Sequence, residues 1–198
     1  MADDAVQLVV GLGNPGPGHA GDRHNAGFWC VDALAARLGA TLHEESRYKA
    51  LLGRTASGLR LLEPLTFMNL SGDSVAACAA YFRIPPAAIV VVHDELDLAP
   101  GVVRLKRGGG HGGHNGLRSI DRQLGSNDYL RVRIGIGHPG PGGDVSGYVL
   151  GKPPAEERSA ILDAIDAVIE VFDRVLAGEV ERAMNTLNRR DRKPKDAS

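Results

Sequence analysis

One uninterrupted aliphatic run constrains the fold of this 198-residue chain more than any other feature. Residues 89–92 read "IVVV" and lead directly into "HDELD" at 93–97. A strand that is apolar at every position needs cover on both faces, which is typical of a parallel strand inside an α/β protein. The polar end of that strand is either a metal or catalytic site or a solvated turn.

The order of the predicted elements extends this interpretation to the whole chain. Strands are predicted at 6–10, 48–56, 59–64, 88–94, 102–107 and 129–137. Helices are predicted at 26–38, 71–84, 116–125, 154–176 and 179–188. Strands that alternate with helices predict an α/β fold. We expect a single domain over 1–190, built on a twisted, mixed, mostly parallel sheet with helices on both faces, and a charged tail at 191–198.

Composition excludes several classes of protein. Hydrophobic residues make up 43% and charged residues 24%, as in ordinary globular proteins. No apolar run approaches the ~20 residues of a membrane span, and the start "MADDAVQ" lacks the basic region of a targeting segment, so we expect a cytoplasmic protein. Cys30 and Cys78 lie in apolar, helix-like patterns and are expected to be reduced core residues rather than disulfide partners or metal ligands.

The net charge of −1 conceals a basic middle segment. Between residues 100 and 140 there are seven basic and two acidic residues. Arg104 and Lys106 alternate on one side of a predicted strand, and Arg133 lies on the next one. Three cations on one sheet face could clamp a terminal phosphate, and the alternative is an ordinary solvated face.

The stretch "GLGNPG" at 11–16 formally matches the dinucleotide-binding pattern G-x-G-x-x-G. That pattern binds a pyrophosphate only when a helix begins at once and its N-terminus faces the phosphates. Pro15 and the following "PGHAGD" prevent an immediate helix. We therefore do not expect a nicotinamide or flavin cofactor.

Two short motifs place polar side chains at predicted helix starts. In "RHNAG", a helix start would lower the pKa of His24 and favour the neutral ring that a general base needs. The alternative is that Asn25 merely caps the helix and His24 lies at the surface. In "FMNLSG", capping accounts for either Asn69 or Ser71 but not both, which leaves Asn69 available to face a ligand.

The most unusual stretch is "GGGHGGHNG" at 108–116, which connects a basic strand to a helix and is either mobile or wrapped around a ligand. His111 and His114 are spaced like metal ligands, but no third local ligand accompanies them. A flexible linker rarely runs straight from a strand into a helix start. A loop that grips a substrate is therefore the favoured interpretation.

The predicted strand ends gather histidine, aspartate and several asparagines, without an obvious nucleophile. Ligands of open α/β sheets bind beyond the carboxyl ends of the strands, which brings 11–24, 93–97 and 137–140 together. The chain has no G-x-S-x-G elbow, and "GKPP" is no phosphate-binding lysine motif because proline follows the lysine. This inventory suits a histidine that activates water, an aspartate that orients the ring and amides that polarise a carbonyl.

Seven blocks of the sequence resemble the bacterial-type peptidyl-tRNA hydrolases, in that family's order and approximate spacing. They are "VVGLGNPG", "RHNAG", "FMNLSG", "HDELDLAPG", "GGGHGGHNGL", "RIGIGHPG" and "VLGKP". The resemblance implies hydrolysis of the ester that joins a peptide to the 3′-terminal ribose of tRNA, which recycles the tRNA. It also implies a monomer that needs no metal or cofactor.

The resemblance implies roles for individual residues. His24 resembles the general base, and Asp94 resembles the residue that orients it. The residues implied to hold the peptide, the attacked carbonyl and the 3′ end are Asn14, His19, Phe67, Met68, Asn69, His114 and Asn115. The residues implied to bind the tRNA 5′-phosphate are Lys106 and Arg133, with Arg104 as a third member. Glu95 and Asp97 are expected to be structural or solvent-facing.

One departure from the family and three rival functions stay open. The family often has tyrosine where this chain has His19, so the contact with the terminal nucleotide is expected to differ. The rivals are a non-catalytic RNA binder, a nucleotide-dependent oxidoreductase and a phosphodiesterase, although no carboxylate cluster for two metal ions is visible. Asn14, His24, Asp94 and Asn115 occurring together favour an enzyme, because a pure binder needs no histidine–aspartate pair.

Overall fold

A seven-stranded sheet forms the centre of the computed structural model, which describes residues 5–190. The strands are β1 Leu8–Gly11, β2 His43–Glu45, β3 Ala50–Arg54, β4 Arg60–Pro64, β5 Ile89–Glu95, β6 Val103–Arg107 and β7 Leu130–Gly135. The α-helices are α1 Ala26–Leu38, α2 Ser71–Phe82, α3 Asn115–Leu124, α4 Val145–Val149, α5 Ala155–Leu176 and α6 Val180–Arg190. The predicted tail at 191–198 lies outside the described residues.

The strand order is β2-β3-β4-β1-β5-β7-β6. The four central strands β4, β1, β5 and β7 run parallel, whereas β2, β3 and β6 pair antiparallel towards the two edges. This arrangement confirms the predicted mixed sheet with β5 as an inner strand. Because parallel strands point the same way, the four central strands all end at one edge of the sheet.

Helices cover both faces of the sheet, as predicted. Val90 and Val92 of β5 pack in one core layer with α1, α5 and α6. Ile89 and Val91 point to the opposite layer, which contains α2 and α3. All four side chains are fully buried, which explains the uninterrupted aliphatic run. Within residues 5–190, no helix combines the length and the apolar composition that a membrane crossing requires.

The structure corrects three element predictions. β2 and α4 had no predicted counterpart, and α2 is shorter than its predicted range of 71–84. The chain leaves α2 after Phe82 because Arg83 has a left-handed φ of 56°. The amide of Ile84 then donates to the carbonyl of Ala79 at 2.8 Å, which closes the helix end.

α1 lies directly against the sheet because two glycines remove the side chains between them. A β-carbon on Gly27 would overlap the carbonyl oxygen of Val92, and one on Gly11 would lie 2.5 Å from the carbonyl oxygen of Gly27. This close approach brings the residues just before α1 to the carboxyl end of β5. His24 is one of them.

Candidate active site

The carboxyl ends of the four parallel strands open into a cavity of about 700 Å³. Each strand is followed by a cavity residue, or supplies one itself: Asn14 after β1, Met68 after β4, Asp94 on β5 and His138 after β7. Further wall residues come from the starts of α3 and α4. The crevice therefore lies at the edge of the sheet where the predicted topology puts it.

His24 and Asp94 meet in the wall of this cavity. A single 3-10 turn, Arg23–Asn25, carries His24 to the end of β5. His24 Nδ1 lies 2.9 Å from each carboxylate oxygen of Asp94, and the two residues are only 8% and 2% exposed. An ionised carboxylate can only accept hydrogen bonds, so Nδ1 carries the proton in the neutral ring and Nε2 offers a lone pair.

The charges of this pair correct one sequence expectation. Burial alone would lower the pKa of His24, but attraction to the Asp94 carboxylate and their hydrogen bond outweigh burial and raise that pKa. The net shift is therefore upward, opposite to the lowering that the helix start alone was expected to produce. Burial opposes ionisation of Asp94, yet His24 and His114 outweigh it and hold the pKa of that carboxyl well below its usual range. Asp94 is therefore ionised at neutral pH.

Asn25 does not cap α1, and His24 is not a surface bystander. The side chain of Asn25 instead binds the loop after β1: its Oδ1 accepts from the amide of Asn14 at 2.9 Å, and its Nδ2 donates to the carbonyl of Asn14 at 3.0 Å. Asn14 Oδ1 accepts from the backbone amide of Met68 at 2.8 Å. Because a backbone amide can only donate, Nδ2 of Asn14 is the group left for a ligand.

His114 is a second histidine partner of Asp94, and no sequence motif predicted this contact. His114 Nε2 lies 2.9 Å from Asp94 Oδ1. The other ring nitrogen, Nδ1, accepts from the amides of Gly116 and Leu117 at 3.2 and 3.4 Å, and so caps α3. These two amides can only donate, so Nδ1 is bare and Nε2 carries the proton that His114 donates to Asp94.

His93 supports Asp94 from the backbone side. It is 1% exposed, and its Nδ1 donates to the carbonyl oxygen of Asp94 at 2.7 Å. Burial, with repulsion from His114 in second place, lowers the pKa of His93 to about 3, so the ring is neutral at ordinary pH. Residues 94–97 of the "HDELD" segment therefore line the cavity, with Asp94 as the central group, and the exposed Asp97 lies in the turn that follows β5.

The donor atoms of His24, Asp94 and His114 all lie within 4.8 Å of one another, a spacing that one metal ion could bridge. The hydrogen bonds favour a different use of these groups. A metal at Nε2 of His114 would displace its proton onto Nδ1, where two amide protons already point. The arrangement therefore suits proton transfer better than metal binding. His111 belongs to no such cluster within residues 5–190.

The remaining predicted ligand residues divide into two groups. Phe67, Asn69 and Asn115 are exposed in the cavity wall, with the side chain of Phe67 61% exposed. The expectation that Asn69 or Ser71 caps α2 is wrong, because the side-chain hydroxyl of Ser71 donates to the carbonyl of Met68 and α2 starts without a side-chain cap. His19 lies outside the cavity lining and pairs with Asp22 at 2.7 Å.

The predicted cations share one face of the sheet. Arg104 on β6 lies opposite Arg133 on β7, in the antiparallel register that also sets Lys106 opposite Arg131. Arg133 Nε donates to the carboxylate of Glu95 at 3.0 Å, and Glu95 also lines the cavity. One end of β5 thus contacts both the histidines and the cationic face.

The sequence analysis did not predict that two arginines near the site are buried. Arg131 is 2% exposed and donates to the carbonyls of residues 109 and 110. Arg23 lies 4.0 Å from the centre of the Tyr148 ring and donates to the Tyr148 carbonyl and to Glu157, which ties α4 and α5 to the turn that holds His24. No local pattern marks a buried arginine, because its partners come from distant parts of the chain.

Fold and site together define an α/β protein with a buried histidine–aspartate pair beside an open cavity. The sequence model of the peptidyl-tRNA hydrolase family matches residues 8–195. A peptidyl-tRNA hydrolase of Methylococcus capsulatus is 54% identical over 185 residues, which cover 92% of this chain and 99% of the relative. One of Pseudomonas paraeruginosa is 54% identical over 188 residues, covering 93% and 97%.

A crystal structure of peptidyl-tRNA hydrolase from Acinetobacter baumannii superposes with a TM-score of 0.91 at 48% identity, over 95% of this chain and 97% of that one. The chain belongs to the peptidyl-tRNA hydrolase family and is a hydrolase. The resemblance, the fold class and the enzyme class predicted from the sequence are confirmed.

Proposed function

We propose that this chain hydrolyses the ester between the peptide and the 3′-terminal ribose of peptidyl-tRNA, and so returns the tRNA to use. Family membership supports the substrate. The observation that carries the chemistry is the pair of 2.9 Å contacts between His24 Nδ1 and Asp94 beside a cavity of about 700 Å³. The pair leaves a basic nitrogen, Nε2, for an attacking water.

In this mechanism His24 Nε2 takes a proton from water, and the resulting hydroxide attacks the ester carbonyl carbon. Asp94 holds the ring in the required tautomer and stabilises the imidazolium that forms. Asn14 Nδ2 donates to the carbonyl oxygen as it becomes negative. The imidazolium then returns its proton to the departing ribose oxygen, which restores the neutral ring.

Specificity for a peptidyl substrate would come from side-chain amides in the cavity wall. Asn69 and Asn115 would pair with the peptide amide, and Phe67 would contact apolar parts of the substrate. Aminoacyl-tRNA has a charged amine in place of that amide, which would leave these groups unmatched. The cationic face of Arg104, Lys106 and Arg133 would bind the 5′-phosphate of the same tRNA, whose acceptor end would span the two sites.

The test is hydrolysis of N-acetylaminoacyl-tRNA, with unblocked aminoacyl-tRNA alongside and each reaction run both with and without EDTA. We expect cleavage of the blocked substrate alone, and a loss of about 10²–10⁴-fold in His24→Ala, the contribution of a positioned base. His43→Ala, at an exposed site on β2, is the control and should cleave normally. Binding of tRNA without cleavage would indicate the non-catalytic RNA binder, and inhibition by EDTA would indicate a metal enzyme.

A further inference from the structure

We infer that Arg131 is a positioning residue that fixes the glycine loop, residues 108–113, and that this loop couples binding of the tRNA 5′-phosphate at Lys106 to the catalytic cavity. The inference rests on the proposed function. Its basis is a continuous set of contacts that begins at the cationic face, passes through the loop and ends at Asp94.

The first half of the glycine loop is held by a buried charge. Arg131 donates from its two terminal nitrogens to the carbonyls of Gly109 and Gly110, each at 2.7 Å. A buried guanidinium is costly unless hydrogen bonds compensate its lost hydration, so these two bonds fix both partners. Asn127 Nδ2 adds a bond to the carbonyl of Gly109 at 3.2 Å. This half of the loop is therefore held in place, although it consists of glycines.

The loop also sets the position of the phosphate-binding lysine. A β-carbon on Gly109 would lie 2.8 Å from Cε and 2.9 Å from Nζ of Lys106, so the end of this lysine lies directly over the glycine backbone. Lys106 and Arg131 are cross-strand partners, but their side chains have different surroundings. The buried Arg131 donates to the carbonyls of the glycine loop, whereas Lys106 is exposed and available to an anion.

The second half of the loop leads to the catalytic carboxylate. The amide of His114 donates to the carbonyl of His111 at 2.9 Å, and the amide of Gly113 donates to His111 Nδ1 at 3.1 Å. Gly112 and Gly113 line the cavity, and His114 donates to Asp94. A shift of the loop backbone at 109–110 would therefore move both the ammonium of Lys106 and the ring of His114.

The experiment compares kcat/KM for peptidyl-tRNA with a 5′-phosphate and with a 5′-hydroxyl, in the wild type and in three variants. The ratio of the two values is independent of the fraction of folded enzyme, because one preparation serves both substrates. Arg131→Lys keeps the charge but loses the two-pronged donor, and Arg131→Gln loses both. Asp121→Asn is the matched control, because it removes the carboxylate that lies 3.7 Å from Arg131 and leaves the two hydrogen bonds from Arg131 to the loop carbonyls in place.

We expect a wild-type ratio of about ten, the value of one charge-assisted hydrogen bond. The ratio should fall towards one in both Arg131 variants and stay near the wild-type value in Asp121→Asn. A wild-type ratio retained in Arg131→Lys would overturn the coupling, and so would a wild-type enzyme that is active but indifferent to the 5′-phosphate. Failure of the wild type to cleave either substrate would instead reject the proposed function, and the inference with it.

Discussion

Asp94 makes the hydrogen bonds that hold both histidines of the site in place. It accepts hydrogen bonds from His24 and His114 at 2.9 Å, and its ionised state raises the pKa of His24. The sequence motifs carry a resemblance that implies the pairing of His24 with Asp94. They could not reveal the contact with His114, because 20 residues separate the two and only the packing of α3 brings them together.

Replacing Asp94 by asparagine should change both the rate and its pH dependence. A general base works only when deprotonated, so activity rises as pH passes upward through the pKa of His24. Asp94→Asn removes the charge that raises this pKa, so the acidic limb of kcat/KM should move to lower pH while the plateau falls by about 10²–10⁴-fold. Asp128→Asn is the control, because this carboxylate is exposed and its ion-pair partner is Arg107 rather than a histidine of the site. An unmoved acidic limb in Asp94→Asn would contradict the assignment of His24 as the titrating base.

Glu63 should make the protein less stable as pH rises from the acidic range towards pH 8. It is 4% exposed on β4, and burial, followed by repulsion from Asp32, raises its pKa to about 8. The unfolded chain releases this proton near pH ~4.3, so the folded state holds an extra proton between these values. Stability should therefore fall as pH rises through that window, by up to about 1.4 kcal/mol per unit.

Glu63→Gln stays neutral at every pH and should remove this dependence. We expect a higher Tm than wild type at pH 8 and little difference at pH 4, measured by thermal unfolding followed by circular dichroism. Glu44→Gln, exposed on β2, is the control. Parallel Tm curves for Glu63→Gln and wild type across this range would show that Glu63 is ionised in the folded protein.

At the scale of elements, the start of α3 performs two tasks through one side chain. His114 caps the helix with Nδ1 and donates to Asp94 with Nε2. His114→Asn supplies a good N-cap but is too short to replace the imidazole, whereas His114→Ala supplies neither contact. We expect both variants to lose activity, and only the alanine variant to lose about 1 kcal/mol of unfolding free energy in urea. Wild-type activity in His114→Asn would exclude a role for its bond to Asp94.

The elements predicted from the sequence are those with strong apolar patterns. The runs at 6–10 and 89–92 and the apolar stripe of α5 identify their own structure because burial dictates the pattern. β2 has no such pattern: His43, Glu44 and Glu45 are all exposed and form a strand only by pairing with β3. α4 follows a glycine- and proline-rich stretch and has five residues, too few to show helical spacing.

At the scale of the whole molecule, the net charge is −1, yet Arg104, Lys106 and Arg133 give one face of the sheet a local positive charge. Lys106 is exposed there, whereas Arg133 shares its charge with Glu95. Lys106→Ala should flatten the slope of log affinity against log salt for tRNA by about one unit, and Arg133→Ala by less, because its carboxylate partner would be left behind. Filter binding of tRNA over a salt series measures these slopes. Arg182→Ala on α6 is the control, and equal slopes in wild type and Lys106→Ala would remove Lys106 from the RNA interface.

The proposed catalytic groups come from three separate layers of the fold. His24 is carried on the turn before α1, on one side of the sheet, and His114 starts α3, on the other. Asp94 extends from the sheet between them. Turnover therefore acts as a reporter of global integrity: detachment of either helical layer would dismantle the site even if the sheet survived. A thermal inactivation curve should coincide with the cooperative unfolding of the entire domain, and two halves of the chain expressed apart should regain activity only on reassembly.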